Sequence, residues 1–188
     1  MNLATLTEKV QQQNYASMEA GNFNLLEVFR LGETMAKQVG LTPSSDPSQD
    51  LWGIVRQNGG RIHYVDFAYF QRYWKTKNPI LENSIYVHSE KDFDIILPAH
   101  APYAEYRYTI AHELGHYVLH AKGKCCARRH GDTVIEQEAM HFALGFLIPT
   151  TQFKLAHTRF NGDVFELSLH FLVPVEVMKL RIALHTQQ

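Results

Sequence analysis

Two histidines four residues apart, with a glutamate beside the first, are the side chains of this sequence best placed to do chemistry. His112 and His116 lie in the segment AHELGHYVLH, residues 111–120. A stripe of Ile110, Leu114, Tyr117 and Val118 predicts that this segment is helical, with Thr109 to cap it and Gly123 to end it. Residues i and i+4 share a helix face. Two imidazoles so placed can bind one tetrahedral metal ion, each at about 2.0–2.1 Å. Glu113 then sits where it can reach a metal-bound water without ligating the metal. This is the H-E-x-x-H arrangement, and it needs a third protein ligand to become a site.

His120 continues the same stripe but is a poor third ligand. Three histidines spaced by four span two helical turns, roughly 12 Å, and one ion cannot reach both ends. A histidine six positions past the second one would give the metzincin pattern, but that position is Lys122. The other common solution is a carboxylate from a following helix. The segment DTVIEQEAMHFALGFLIP, residues 132–149, offers Glu136 and Glu138. Glu136 shares a stripe with Ala139, Met140, Ala143 and Leu147, and two alanines let another helix come close. Glu138 shares a bulkier face with His141, Phe142 and Gly145, and reads equally well as a solvated surface charge. Glu136 in turn completes a Thr133-x-x-Glu136 capping box, which places a glutamate there without any metal. Periodicity favours Glu136 and leaves both open.

The elements that must hold these residues are those of a soluble α+β domain. The chain has 188 residues, 45% hydrophobic and 20% charged, enough for one domain with a core. Its net charge of −1 gives no general attraction to nucleic acid or to an anionic membrane. Cys125 and Cys126 are neighbours, which suits a reducing compartment better than a disulfide framework. The first residues, MNLATLTEKVQQQNY, lack a basic stretch leading into an apolar run, and FALGFLI (142–148) is too short to span a bilayer. These features lead us to expect a cytoplasmic protein.

Residues 1–20 carry Leu3, Leu6 and Val10 at helical spacing. Residues 22–40 form a stronger helix, with Leu25, Leu26, Phe29, Ala36 and Val39 on one face, Asn24 as cap and Gly40 as stop. A Pro/Ser linker (41–49), a short helix (50–57) and a turn (58–60) follow. RIHYVDF (61–67) alternates like a strand, and SIYVH (84–88) with DFDIILP (92–98) reads as a hairpin. Residues 97–108 read as a loop into the motif helix. A second motif helix runs from near Asp132 to Pro149, and the tail (162–185) is two helices broken at Val173–Pro174. This order of elements is α+β, with a small sheet of about three strands.

Taken together, RYTIAHELGHYVLH (107–120) and EQEAMHFALGFLIP (136–149) resemble the ImmA/IrrE family of metallopeptidases. Those proteins pair an R-[FY]-T-[IL]-A-H-E-[LI]-x-H-x-x-L-H segment with an E-x-x-A-N-x-F-A-x-x-L-L-x-P helix. The tail FLVPVEVMKLRIAL is similar to the family's closing helix pair. The resemblance covers roughly residues 50–186 and implies a compact zincin-like fold; with the helical spacing of the N-terminal residues, we expect an N-terminal helical segment over 1–45, a zincin-like domain over 46–160, and a helix-turn-helix-like pair over 161–188 packed on the same domain. It implies Zn²⁺ held by His112, His116 and Glu136, with Glu113 as the catalytic base. His100, Tyr103, Tyr106 and His141 are candidates for stabilising the transition state or orienting a ligand. One departure falls near the site: the family's asparagine is Met140 here, so its polar role passes to another group, with His141 or a backbone carbonyl as candidates. The implied partner is a protein substrate such as a transcriptional repressor, with no direct nucleic-acid contact and no membrane.

Two other functions compete with peptidase. One is a zinc module that binds without cleaving. The other is DNA recognition through the C-terminal helices, whose second member carries only Lys179 and Arg181 as cations before His185. Leu172, Val175, Val177, Met178, Leu180 and Ile182 in that pair read as core packing. The basic stretch KGKCCARRH (122–130) reads as a solvated loop between the motif helices.

Overall fold

The structure is a computed structural model that describes residues 24–41, 51–69, 83–89, 91–120 and 133–186. The proposed helix in 1–20, the Pro/Ser linker, Gly123 and the basic stretch lie outside those residues.

Helix α1 spans Leu25–Val39 and is bounded as its caps predict. The Asn24 side chain accepts the Leu26 N–H at 3.0 Å, and Gly40 closes the helix in the left-handed region at φ 70°. Its buried side differs from the expected one. Val28, Phe29, Leu31, Gly32, Met35 and Ala36 face the core, while Leu26 is 39% exposed. The reason is Gly32, whose bare backbone lies against a second helix and sets which face turns inward. Helix α2 (Leu51–Gln57) buries Leu51, Ile54 and Val55.

Three strands follow: β1 (Gly60–Val65), β2 (Ser84–Ser89) and β3 (Asp92–Pro98). β3 is central, antiparallel to β2 as the hairpin pattern predicts, and parallel to β1. Phe93, Ile95 and Leu97 alternate along β3 and are fully buried, joined on the core face by Ile85 and Val87. The opposite face carries a polar cluster at one end. There Asp94 accepts from Arg61 Nε at 2.7 Å, and lies 2.8 Å from His63 Nε2 and 2.7 Å from His88 Nε2. Partial burial alone would raise the Asp94 pKa, but the hydrogen bonds from Arg61, His88 and His63 hold it well below the carboxylate range. One side chain thus ties all three strands together.

Helix α3 (Tyr103–His120) begins six positions ahead of Thr109, so the expected loop is partly helical and Thr109 is an interior residue, not the cap. Aromatic packing extends the helix. Tyr103 stacks on Trp52 at 5.5 Å, and Tyr106 meets Tyr64 edge-on at 5.2 Å. The Tyr106 hydroxyl donates to the Pro98 carbonyl and accepts the Ala101 N–H. The start of α3 is thereby fixed to the end of β3.

Helices α4 (Thr133–Leu147), α5 (Thr150–Arg159), α6 (Val164–Phe171) and α7 (Val175–Thr186) complete the described chain. Asp163 caps α6, accepting from the Phe165 and Glu166 N–H groups. The break at Val173–Pro174 falls where the sequence places it. α4 packs between α1 and α3, and Leu144, Phe146, Leu147 and Ile148 are at most 1% exposed.

Arg181 joins the C-terminal pair to this core. It is 1% exposed, donates to the Ile148 carbonyl at 3.0 Å, and lies over the rings of Phe153 and Phe29 at 4.3 and 4.9 Å. Burial lowers its pKa to about 10, with Glu33 opposing, so it stays a cation at neutral pH. It is therefore not available to a DNA phosphate. Lys179 is held at 2.7 Å by Glu176. Among the described residues no helix is long and apolar enough to cross a membrane.

At Gly32 and Gly145 the contact of α1 with α4 has no room for a side chain. A Cβ on Gly145 would overlap the Phe29 carbonyl, and one on Gly32 would overlap the Phe142 carbonyl. Gly145→Ala should cost more than about 1–3 kcal/mol, the usual range for overpacking where backbone can yield. Urea denaturation reads this directly, and an unchanged midpoint would refute the close approach.

Candidate metal centre

His112 and His116 point from one face of α3, their rings 4.8 Å apart and nearly perpendicular. Their Nε2 atoms lie 3.1 Å from each other. Glu136, in the first turn of α4, brings Oε2 to 3.1 Å from His112 Nε2 and Oε1 to 3.5 Å from His116 Nε2. The three residues expected as ligands come together, one ligand atom from each, all within 4.8 Å of one another. Small residues permit it. A Cβ on Gly115 would lie 3.1 Å from the Ala139 Cα and carbonyl oxygen, and Ala139 and Ala143 are fully buried. The alanine stripe of α4 does face α3, as its spacing suggests, and it meets a glycine the sequence reading did not single out.

The donor set fits a metal ion. Four donors at about 2.0–2.1 Å in a tetrahedron stand about 3.3 Å from one another. The two Nε2 atoms are 3.1 Å apart, and the nearest Glu136 oxygens, Oε2 and Oε1, lie 3.1 and 3.5 Å from them, all close to that value. Two imidazole nitrogens and a carboxylate are metal-ligand types, and a shared cation would be coordinated by all three.

Beside the triad is a pocket of about 350 Å³ whose walls include Tyr108, Thr109, Glu113, Glu136 and Met140. Glu113 is 2% exposed and borders the pocket without joining the triad. Tyr108 is the residue the sequence reading missed. Its ring lies 5.9 Å from that of His112. Burial first, then the charges of Glu136 and Glu113, push its hydroxyl pKa up to about 12. The signal was available, since Tyr108 precedes His112 by four and so shares its helix face.

The four other candidates point elsewhere. His100 is exposed in the turn after β3, Tyr103 packs on Trp52, and Tyr106 is committed to Pro98 and Ala101. His141 bonds through Nδ1 to the Gln137 carbonyl of its own helix at 2.8 Å. None of the four lines the pocket.

Behind the triad, His116 Nδ1 lies 3.1 Å from His120 Nδ1, and His120 Nε2 lies 2.8 Å from Glu138 Oε2. Glu138 is therefore no solvated surface charge, since its side chain is 1% exposed. Helix α4 has neighbours on both sides, so two glutamates two positions apart can both turn inward. His112 differs. Its Nδ1 is buried and has no hydrogen-bond partner among the described residues. Met140, which stands where the resembled family has asparagine, lines the same pocket and offers no strong acceptor.

The sequence matches the family model of the IrrE N-terminal-like domain, Peptidase M78, over residues 75–183. Among solved structures the fold is similar to that of a Mycobacterium tuberculosis transcriptional regulator, with a TM-score of 0.53 and 17% identity. The alignment covers 95% of this chain and 51% of that one, so this chain spans about half that regulator's length. No curated protein matches the chain.

The Tyr108 environment has a measurable consequence in chelator-treated protein. Its pKa is raised in the folded state above the usual value near 10, so between about pH 10 and 12 the unfolded chain loses this proton while the folded chain keeps it. Stability should fall across that window. Tyr108→Phe should lessen the fall and remove the most alkaline tyrosinate transition from an absorbance titration. An unchanged titration would show that Tyr108 is not buried beside two carboxylates.

Proposed function

The chain belongs to the Peptidase M78 family of IrrE N-terminal-like domains, and from that premise we propose that it is a zinc-dependent endopeptidase that cuts a specific regulatory protein. The observation that carries this is the convergence of His112, His116 and Glu136 beside a pocket into which a buried Glu113 opens.

Zinc held by the triad would supply a Lewis acid that polarises the scissile carbonyl and acidifies a water molecule. The chain's own residues do the rest. Glu113 borders the pocket, where it takes the proton of the attacking water and returns it to the leaving amine. Tyr108 keeps its proton at neutral pH, so its hydroxyl is a standing donor for the negative charge that develops on the carbonyl oxygen. The apolar side of Met140 and the ring of Tyr108 border the same space and limit water around the reacting bond.

The family supports a peptidase of regulatory type. The printed description of the similar solved structure concerns that protein alone. A transcriptional repressor is the substrate we propose for this chain, because it is the kind of partner that the ImmA/IrrE resemblance implies.

Glu113→Gln should bind zinc with wild-type stoichiometry and cleave about 10²–10⁴-fold more slowly, the usual contribution of a positioned acid–base group. Glu136→Ala should lose the zinc. Metal analysis beside a peptide-cleavage assay reads both, and a Glu113→Gln protein that cleaves at the wild-type rate would end the assignment. On substrate, the purified protein should cut a cognate repressor at a single bond and leave casein intact. General degradation of casein with the repressor untouched would overturn the regulatory reading.

A further inference from the structure

The triad accounts for His112, His116 and Glu136 but leaves two buried titratable residues behind it unused. His120 and Glu138 each fail as a ligand, yet neither is idle. Their atoms form a line: Glu138 Oε2 to His120 Nε2 at 2.8 Å, then His120 Nδ1 to His116 Nδ1 at 3.1 Å. His116 Nε2 at the far side of its ring faces His112 and Glu136. The side chains of His120 and Glu138 are 12% and 1% exposed, so water competes little for these bonds.

We propose that His120 and Glu138 are positioning residues that lock His116 in the tautomer whose Nε2 lone pair faces the metal. The inference rests on the metal reading above. With His120 neutral, donor and acceptor roles fall into one order. A carboxylate accepts, so His120 Nε2 carries the proton that Glu138 receives. A neutral His120 then presents a lone pair at Nδ1, and His116 must donate to it from its own Nδ1. That leaves His116 Nε2 unprotonated, the form a metal ion needs. The ring is also held in orientation, because the relay grips it opposite its ligand atom.

His112 is the contrasting case. Its Nδ1 has no partner among the described residues, so no group opposite its ligand atom holds it in the metal-binding tautomer. The two histidines of one motif are thus held unequally, with His116 set in advance.

The test uses the full chain with labelled imidazole nitrogens, observed by NMR after chelation, and zinc affinity measured by competition. Wild type should carry the His116 proton on Nδ1 and the His120 proton on Nε2. Glu138→Leu should shift His116 toward the opposite tautomer and weaken zinc binding about 10–100-fold, the usual effect of losing such an outer partner. Glu138→Gln, whose amide oxygen still accepts from His120, should restore the tautomer and most of the affinity. If Glu138→Leu does not fold, His120→Phe carries the same two readings. A wild-type His116 protonated on Nε2 overturns the relay without any variant, as does a folded Glu138→Leu protein that keeps both tautomer and affinity. A chain with the stated tautomers that takes up no zinc overturns the metal reading and leaves the relay standing.

Discussion

Helices α3 and α4 pass so closely that a Cβ on Gly115 would touch the backbone of Ala139 at 3.1 Å, and the candidate site depends on that distance. A glutamate side chain is short. It reaches an imidazole pair on a neighbouring helix only where the two backbones approach with nothing between them. Gly115 lies between the two histidines of the motif, and Ala139 lies one turn beyond Glu136. The same pair of helices brings Glu138 to His120. Both carboxylates depend on one contact made of almost no side chain.

That contact is in turn held from behind. α1 presses Gly32 against the Phe142–Phe146 stretch of α4 and receives Gly145 against its own Phe29 carbonyl. Arg181 seizes the carbonyl of Ile148 just past the end of α4, with Phe29 and Phe153 on its faces. Buried rows such as Leu144, Phe146 and Leu147 supply the apolar area, at about 25 cal/mol per Å² removed from water. α4 is therefore fixed along its length by α1 and at its C-terminal end by α7. Its N-terminal turn carries the carboxylate that faces the histidines.

Much of this was legible in the amino-acid pattern. The caps at Asn24 and Gly40, the β2–β3 hairpin, the break at Val173–Pro174 and the α+β class depend on local signals, and the structure follows them. The juxtaposition of His112, His116 and Glu136 was legible because four-residue spacing and an alanine stripe are both one-dimensional patterns. What failed was whatever depends on a partner distant in sequence. Thr109 resembles a cap until Trp52 and Tyr64 reach across to extend α3. Glu138 resembles a surface charge until a histidine on another helix is found opposite it. The inward face of α1 was misjudged because hydrophobicity identifies large side chains, whereas the close packing at Gly32 uses none. Tyr108 went unnoticed for a different reason: tyrosine on a motif helix suits the core equally well, and only the pocket distinguishes the two.

Glu136 occupies the first turn of α4, where backbone N–H groups have no intrahelical partners and fraying begins. A ligand in that turn would couple metal occupancy to helix order. A cation held by the triad would also clamp the opening turn of α4 to α3. Its departure would remove that clamp and leave the turn to the favourable but modest attraction between a carboxylate and the helix dipole. A cell that controls the availability of the ion would thereby control the local stability of the segment as well as its chemistry.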